Sequence, residues 1–357
     1  MIKAFKYRLY PNKEQREYFA KTFGCTRFVY NRMLNDKIEH YKATEQILKN
    51  TPAQYKDEFP WLKEVDSLAL ANAQINLEKA YKNFFRDKSI GFPKFKSKKN
   101  NHRSYTTNNQ KGTVSIADGY IKLPKLKSVV KIKQHRPFDG LIKSCTISQI
   151  PSGKFFVSVL VEREIVQLPQ LENKVGIDVG IKTFAVMSDG RVIENPMHLR
   201  KSEKRLAKLQ KDLSRKQKGS RNRSKARIKV ATLHEKISNQ RLDFLHKISS
   251  EIISDNQAIV LEDLKIKNMV QNHKLGKAIS EVSWGMFRTM IEYKAGWYGR
   301  KVIIAPSNYA SSQLCSECGT KSSQTKDLSC RTYICPECGL EIDRDYNASL
   351  NLLKLAV

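Results

Sequence analysis

The sequence predicts two parts of different class: an N-terminal α+β part over residues 1–171 and a C-terminal α/β part over residues 172–357. Three observations carry this. Strand-like alternations bracket helical stretches as far as Leu171. From Lys174 the pattern changes to continuous apolar strands, as in a sheet covered on both faces. Between those strands runs a long basic helical segment, and after them a cysteine cluster that no simple sheet core needs. A length of 357 residues suits two or three domains, and 40% hydrophobic residues supply an ordinary core rather than wholesale disorder.

In the N-terminal part, Ile2-Lys3-Ala4-Phe5-Lys6-Tyr7-Arg8-Leu9 alternates as a half-buried strand and turns at Pro11-Asn12. Helical spacing predicts a helix from Glu14 to Phe23 and, past Gly24, a second from Thr26 to Leu34. Leu68, Ile75, Leu77, Tyr81, Phe84 and Phe85 form an apolar helical stripe ended by Gly91-Phe92-Pro93. From Lys82 to Lys111 nine Lys or Arg stand against one Asp, among Phe84, Phe85, Phe92, Phe95 and Tyr105. Such a mixture suits phosphate contacts with bases or sugars packed on the rings, a solvated basic face being the plainer alternative. Residues 113–165 read as short strands with turns.

In the C-terminal part, Val175-Gly176-Ile177-Asp178-Val179-Gly180-Ile181 is an apolar strand with an acid inside it. A strand over Thr183 to Met187 and a Ser188-Asp189-Gly190 turn lead into Arg191-Val192-Ile193. Arg200 to Lys236 then carries fifteen Lys or Arg against three acids. Leu206, Leu209 and Leu213, with Ala226, Val230, Leu233 and Ile237 beyond Lys218-Gly219-Ser220, predict a helical hairpin with an apolar seam and a basic outside. A strand at Ala258 to Leu261, a helix over Ser283 to Tyr298, a strand at Val302 to Ile304 and a last helix from Tyr346 to Leu355 complete the order.

With 65 Lys and Arg against 35 Asp and Glu, the formal charge is +30. A chain so charged calls for a polyanion, and nucleic acid is favoured over an anionic membrane because no amphipathic helix with a Trp or Phe face accompanies the charge. No apolar run approaches the roughly 18 residues of a membrane span, and the start lacks a signal-peptide core, so a cytoplasmic protein is expected.

A carboxylate inside an apolar strand costs several kcal/mol, roughly, unless compensated. Asp178 is such a group. Glu262 ends another apolar strand and Asp345 opens the last helix, so the three acids can meet at one sheet edge, where divalent cations relieve their repulsion. Two Mg²⁺ ions about 4 Å apart would there activate water on one side of a phosphodiester and stabilise the leaving oxygen on the other. Each acid has a plainer alternative: backbone donors for Asp178, a strand-end surface position for Glu262, a helix cap for Asp345, with Asp343 a competitor.

Cys315-x2-Cys318 and Cys335-x2-Cys338, each followed by glycine, have the spacing of two knuckles around one tetrahedral Zn²⁺. A redox pair would stand alone and open a helix, which neither does. Four thiolates leave zinc no open position, so its part is structural; the segment would deliver Asp345 and could place Arg331 near a phosphate. Cys330 is left as a spare thiol, and Cys25 and Cys145 as packing residues.

Taken together these residues resemble the transposon-encoded TnpB family, relatives of the type V CRISPR effector nucleases. The resemblance runs through Lys6-Tyr7-Arg8-Leu9-Tyr10-Pro11 with Glu14-Gln15, Gly91-Phe92-Pro93-Lys94-Phe95-Lys96, Gly176-Ile177-Asp178-Val179-Gly180, Val260-Leu261-Glu262-Asp263-Leu264, the cysteine knuckles, and Asp343-Arg344-Asp345-Tyr346-Asn347-Ala348. It implies an RNase H-like, RuvC-type nuclease domain over 172–357, with a helical insertion over about 198–250 and a zinc ribbon over about 310–340. It implies a wedge-like barrel and helical recognition bundle over 1–171, binding guide RNA and target DNA. By the same resemblance Asp178, Glu262 and Asp345 are the catalytic, Mg²⁺-binding carboxylates, with Arg331 a secondary catalytic candidate. Partners would be a guide RNA from the transposon end and double-stranded DNA bearing a short flanking motif, cut with Mg²⁺. Ser349 stands where the family usually has alanine, and the recognition region is short. Two other readings fit the same charge: an RNA-guided repressor that does not cut, against which the intact acids argue, and a transposase performing strand transfer without RNA. Ser67, Asn72 and Gln74 are candidate base readers, with a solvated helix face as the alternative.

Overall fold

Alternation along Ile2–Tyr10 makes strand β1, with Phe5, Tyr7 and Leu9 buried on one face. In the computed structural model, which describes residues 1–100, 103–327 and 329–356, the chain divides into the units Met1–Glu164 and Ile165–Val357. The division precedes Leu171 because the intervening segment is tied into the second unit. Leu168 N donates to Tyr298 O at 3.3 Å, and Arg300 Nη1 donates to Pro169 O at 2.7 Å.

In the first unit β1 is followed by α1 (Lys13–Thr44), α2 (Tyr55–Glu58), α3 (Ser67–Arg86) and six strands: β2 (Arg103–Asn108), β3 (Ser115–Ala117), β4 (Tyr120–Lys122), β5 (Val130–Lys133), β6 (Leu141–Gln149) and β7 (Phe155–Glu162). The strands pair antiparallel in the order β2-β6-β7-β1-β5-β4-β3, a half-barrel around one core. Phe19 and Phe23 of α1 enter that core, while Val29, Met33 and Leu34 pack with Leu70 and Leu77 of α3 in a second.

Two expectations change here. Instead of two helices broken at Gly24, α1 runs unbroken from an Asn12/Gln15 capping box to Glu45. A mid-helix glycine costs only about 0.5–1 kcal/mol, and α1 buries apolar residues on both sides of it. The apolar stripe is also narrower than its sequence suggested: α3 buries Ala69, Leu70, Ala73 and Leu77, whereas Ile75 and Phe85 are exposed. Of the basic stretch from Lys82 to Lys111, residues 101 and 102 lie outside the described residues.

The second unit contains β8 (Lys174–Val179), β9 (Thr183–Met187), β10 (Val192–Glu194), α4 (His198–Ser214), α5 (Arg221–Asp255), β11 (Ala258–Leu261), α6 (Ile266–Met269), α7 (Gly276–Val282), α8 (Trp284–Tyr298), β12 (Lys301–Ile304), β13 (Thr332–Ile334), β14 (Glu341–Asp343) and α9 (Arg344–Leu353). Five strands form a sheet in the order β10-β9-β8-β11-β12, in which β8, β11 and β12 are parallel and β9 and β10 antiparallel. One face packs Val175, Ile177, Ile259 and Leu261 on α5 and α8. The other packs Val260 on Leu352 of α9. Leu199, Leu206, Leu209, Val230, Leu233 and Ile237 form the seam of the α4–α5 hairpin, and α5 continues to Asp255, past the expected end near residue 250.

Candidate active site

The period of two along a strand decides where the acids go. On β8, Val175 and Ile177 face α5 and α8, so Gly176 and Asp178 face α9. A Cβ on Gly176 would lie 2.1 Å from Ser349 O and 2.5 Å from Leu353 N, which shows how closely α9 crosses the strand. On β11, Ile259 and Leu261 face α5 and α8, so Val260 and then Glu262 face α9. Leu261 pairs with Ile177 in parallel register, which sets Glu262 beside Asp178.

Asp345 comes from the start of α9. Asp343 caps that helix, its carboxylate accepting from Asp345 N and Tyr346 N at 2.9 Å each. With the cap supplied by Asp343, the side chain of Asp345 remains available. Arg344 Nε and Nη2 donate to Asp345 Oδ1 at 2.9 and 2.8 Å, and Arg331 Nη1 lies 3.5 Å from Oδ2. Arg331 is half exposed, Arg344 buried.

The carboxyls sense one another. Part of Asp178 reaches solvent, yet burial of its carboxyl, then the charges of Glu262 and Asp345, push it well above the usual carboxylate range, against the pull of Arg344. Burial likewise raises Glu262, opposed by the Ser311 hydroxyl that donates to its Oε1 at 2.5 Å and reinforced by Asp345. Acids so placed need positive charge to ionise together, the situation that hard divalent cations meet with oxygen ligands.

The cysteines make a tighter group. Among the described residues, Cys315, Cys318, Cys335 and Cys338 are the one set of His, Cys, Asp and Glu side chains whose ligand atoms all lie within 4.8 Å of one another. The three carboxylates are not so close. Sγ atoms are 3.6 Å apart between Cys315 and Cys338 and 3.5 Å apart between Cys318 and Cys335. Four sulfurs at about 2.3 Å from a tetrahedral zinc would stand roughly 3.8 Å apart, so the donor set fits. Gly319 and Gly339 take positive φ after each pair, closing turns in which their amides donate to Cys315 O and Cys335 O. Cys330 stands outside the set, its Sγ 3.1 Å from Thr332 O, while Cys25 and Cys145 are buried.

Sequence reading missed Arg344 and Ser311. Arg344 stood in the motif merely as a spacer, and nothing in the sequence linked Ser311 to Glu262. The candidate base readers lie on α3 with local partners: Lys56 for Ser67, Leu68 O for Asn72 and Glu78 for Gln74.

A protein of Streptomyces pristinaespiralis named "Putative RNA-guided DNA endonuclease" is 38% identical, over 98% of this chain and 88% of that protein. The chain belongs to the TnpB family. Family models described as "Helix-turn-helix domain", "Probable transposase" and "Cas12f1-like, TNB domain" match residues 1–46, 156–273 and 284–352. The Escherichia coli K12 protein "Putative RNA-guided DNA endonuclease InsQ" is 32% identical over 99% of this chain and 92% of its own. Among solved structures, the fold is shared with a Cas12f1-sgRNA-target DNA complex at TM-score 0.63 and 15% identity, covering 96% of this chain and 83% of that one. The last of the three matched stretches contains the cysteine cluster and Asp345, and the middle one Asp178 and Glu262. No described helix is long and apolar enough to cross a membrane.

Proposed function

We propose that this chain is a guide-RNA-directed DNA endonuclease in which Asp178, Glu262 and Asp345 hold two Mg²⁺ ions at the α9 edge of an RNase H-like, RuvC-type sheet. The observation that carries the reading is the convergence of the three acids, from β8, the end of β11 and the first turn of α9, with the Asp178 carboxyl raised by burial and then by Glu262 and Asp345, and that of Glu262 by burial and by Asp345. When bound, the two ions supply the Lewis acidity that activates water and stabilises the leaving oxygen of a phosphodiester. Asp178 is the fixed member, set in the strand; Glu262 is oriented by Ser311; Asp345 is drawn by Arg344 and Arg331 until a cation competes for it. Arg331, exposed and singly paired to Asp345, is placed to exchange that carboxylate for a phosphate of the substrate. The four cysteines hold a structural zinc that shapes the segment between Glu262 and Asp345.

The partners follow from charge and kinship. With +30 to neutralise, the protein binds a guide RNA from its transposon end, and the paired DNA target, through phosphate contacts. The N-terminal unit grips RNA and reads a short flanking motif in the DNA; the basic α4–α5 hairpin lies along nucleic acid backbone. Binding resting on some 6–10 such contacts should fall about 10³- to 10⁵-fold between about 50 and 200 mM salt. The test is to purify the protein with its locus, sequence the bound RNA and assay a matched DNA library with Mg²⁺. RNA-dependent cleavage lost in Asp178→Ala is expected. Equal cleavage by RNA-stripped protein, or strand transfer of donor ends without RNA, would refute the reading.

A further inference from the structure

The segment linking β12 to the first cysteine knuckle carries a polar lock whose end touches a catalytic candidate. Ser311, 4% exposed, donates its hydroxyl to Glu262 Oε1. Its own carbonyl accepts from Asn351 Nδ2 at 2.9 Å, and the same amide donates to Leu314 O at 2.6 Å. One helical turn earlier, Asn347 Nδ2 donates to Leu314 O at 2.7 Å while its Oδ1 accepts from Ser316 N at 2.9 Å. Cys315 lies between these last two anchored residues.

Both asparagines are buried, at 0% and 1% exposure, on the face of α9 that meets this segment. A buried amide is costly unless its partners are in place, and here the partners are Ser311 O, Leu314 O and Ser316 N, backbone groups that an aliphatic side chain would leave unpaired. What the amides add is register. They fix residues 311–316 against the helix that bears Asp345, so that Cys315 and the Ser311 hydroxyl are set by the same four hydrogen bonds. Glu262 is thereby held through one oxygen by a neutral donor, and among the described residues no cation is paired to it. Asp345, by contrast, has both oxygens engaged by arginine.

We infer that Ser311 is a positioning residue for Glu262, clamped by Asn351 and Asn347 so that the orientation of this carboxylate is tied to the folded cysteine cluster. The inference rests on the reading of Glu262 as a ligand of the catalytic cation. A hydroxyl that orients a ligand from behind leaves its charge intact for the ion, and loss of such a partner costs about 10- to 100-fold in metal affinity or activity.

The test is Mn²⁺ binding to the full-length protein with its RNA, followed by electron paramagnetic resonance, in wild type, Ser311→Ala, Ser311→Thr and Asp178→Ala. Ser311→Ala is expected to weaken Mn²⁺ binding about tenfold or more. Ser311→Thr, which keeps the hydroxyl, should bind Mn²⁺ as wild type does, and zinc content should be unchanged in both. A purely structural serine would shift melting without shifting the Mn²⁺ isotherm. If Ser311→Ala binds Mn²⁺ as wild type does while Asp178→Ala does not, the positioning role is wrong and the site stands. If Asp178→Ala also binds as wild type does, the site reading itself falls, and this inference with it.

Discussion

Replacing Gly176 by alanine should disable the site without removing any of its acids. The added Cβ would sit 2.1 Å from Ser349 O, 2.5 Å from Leu353 N and 3.0 Å from Leu352 Cβ, where ordinary contact starts at 3.4 Å. The two nearest atoms are backbone, in the interior and last turn of α9, and cannot rotate aside. Restoring contact with Ser349 O alone requires the helix to retreat by about 1.3 Å, from 2.1 to 3.4 Å. Asp345 lies one turn before Ser349 on the same rigid helix, so it retreats from Asp178 with it. Overpacking of this kind costs about 1–3 kcal/mol, and a displacement of about 1 Å at a reacting centre can cost on the order of 10²-fold in rate. Single-turnover cleavage of matched DNA and thermal melting measure the two effects separately. Gly176→Ala with wild-type melting and wild-type rate would refute the claim that α9 fixes the third carboxylate by direct contact with β8.

Gly24→Ala should do the opposite, because nothing lies within 4 Å of its Cβ position in the unbroken α1; a gain of about 0.5–1 kcal/mol is expected, and a loss would show that the helix needs a break there. For Asp178 the sign follows from its raised folded pKa: an acid so shifted favours the fold fully below its unfolded value of about 4 and loses that contribution as pH rises through the folded value. In magnesium-free buffer, Asp178→Asn should therefore melt progressively higher than wild type as pH climbs from about 4 to 8; a difference that stays flat with pH would count against the shared anionic pocket. Metal analysis should find one zinc per chain, lost in Cys335→Ser together with a drop in melting temperature. Unchanged melting after zinc chelation would mean that the sulfurs carry no structural ion.

The elements most legible in the sequence were those in which one physical rule acts alone. The apolar runs at Val175 and Ala258 could only be covered strands, and the acid within the first had to be compensated. The cysteine spacing specified its own geometry. Where two rules compete, the sequence misled: Gly24 signals a break by propensity, but burial of Phe19 and Phe23 on one side and Val29 and Met33 on the other carries the helix through. Phe85 and Ile75 have core composition and helical spacing, yet they point away from the packing that Leu70 and Leu77 make. Ser311 was invisible because its partner lies 49 residues away and a serine before a cysteine knuckle carries no spacing rule.

The two aspartates of Asp343-Arg344-Asp345 show how a site can be built from a local competition. Either could cap α9, and a capping carboxylate is spent on backbone amides. Because β14 ends at Asp343, that residue keeps extended backbone and takes the cap, while Asp345 enters the first turn with its carboxylate turned to Arg344 and Arg331 instead of to backbone amides. The same junction positions Arg344, whose backbone amide donates to Arg331 O and whose guanidinium then spans Asp345 and Cys330 O. The ribbon hairpin thus supplies the cap, the arginine and the start of the helix in three consecutive residues. Moving the strand end by one residue would give the cap to Arg344, which cannot accept from an amide, and would turn Asp345 by about 100° around the helix axis.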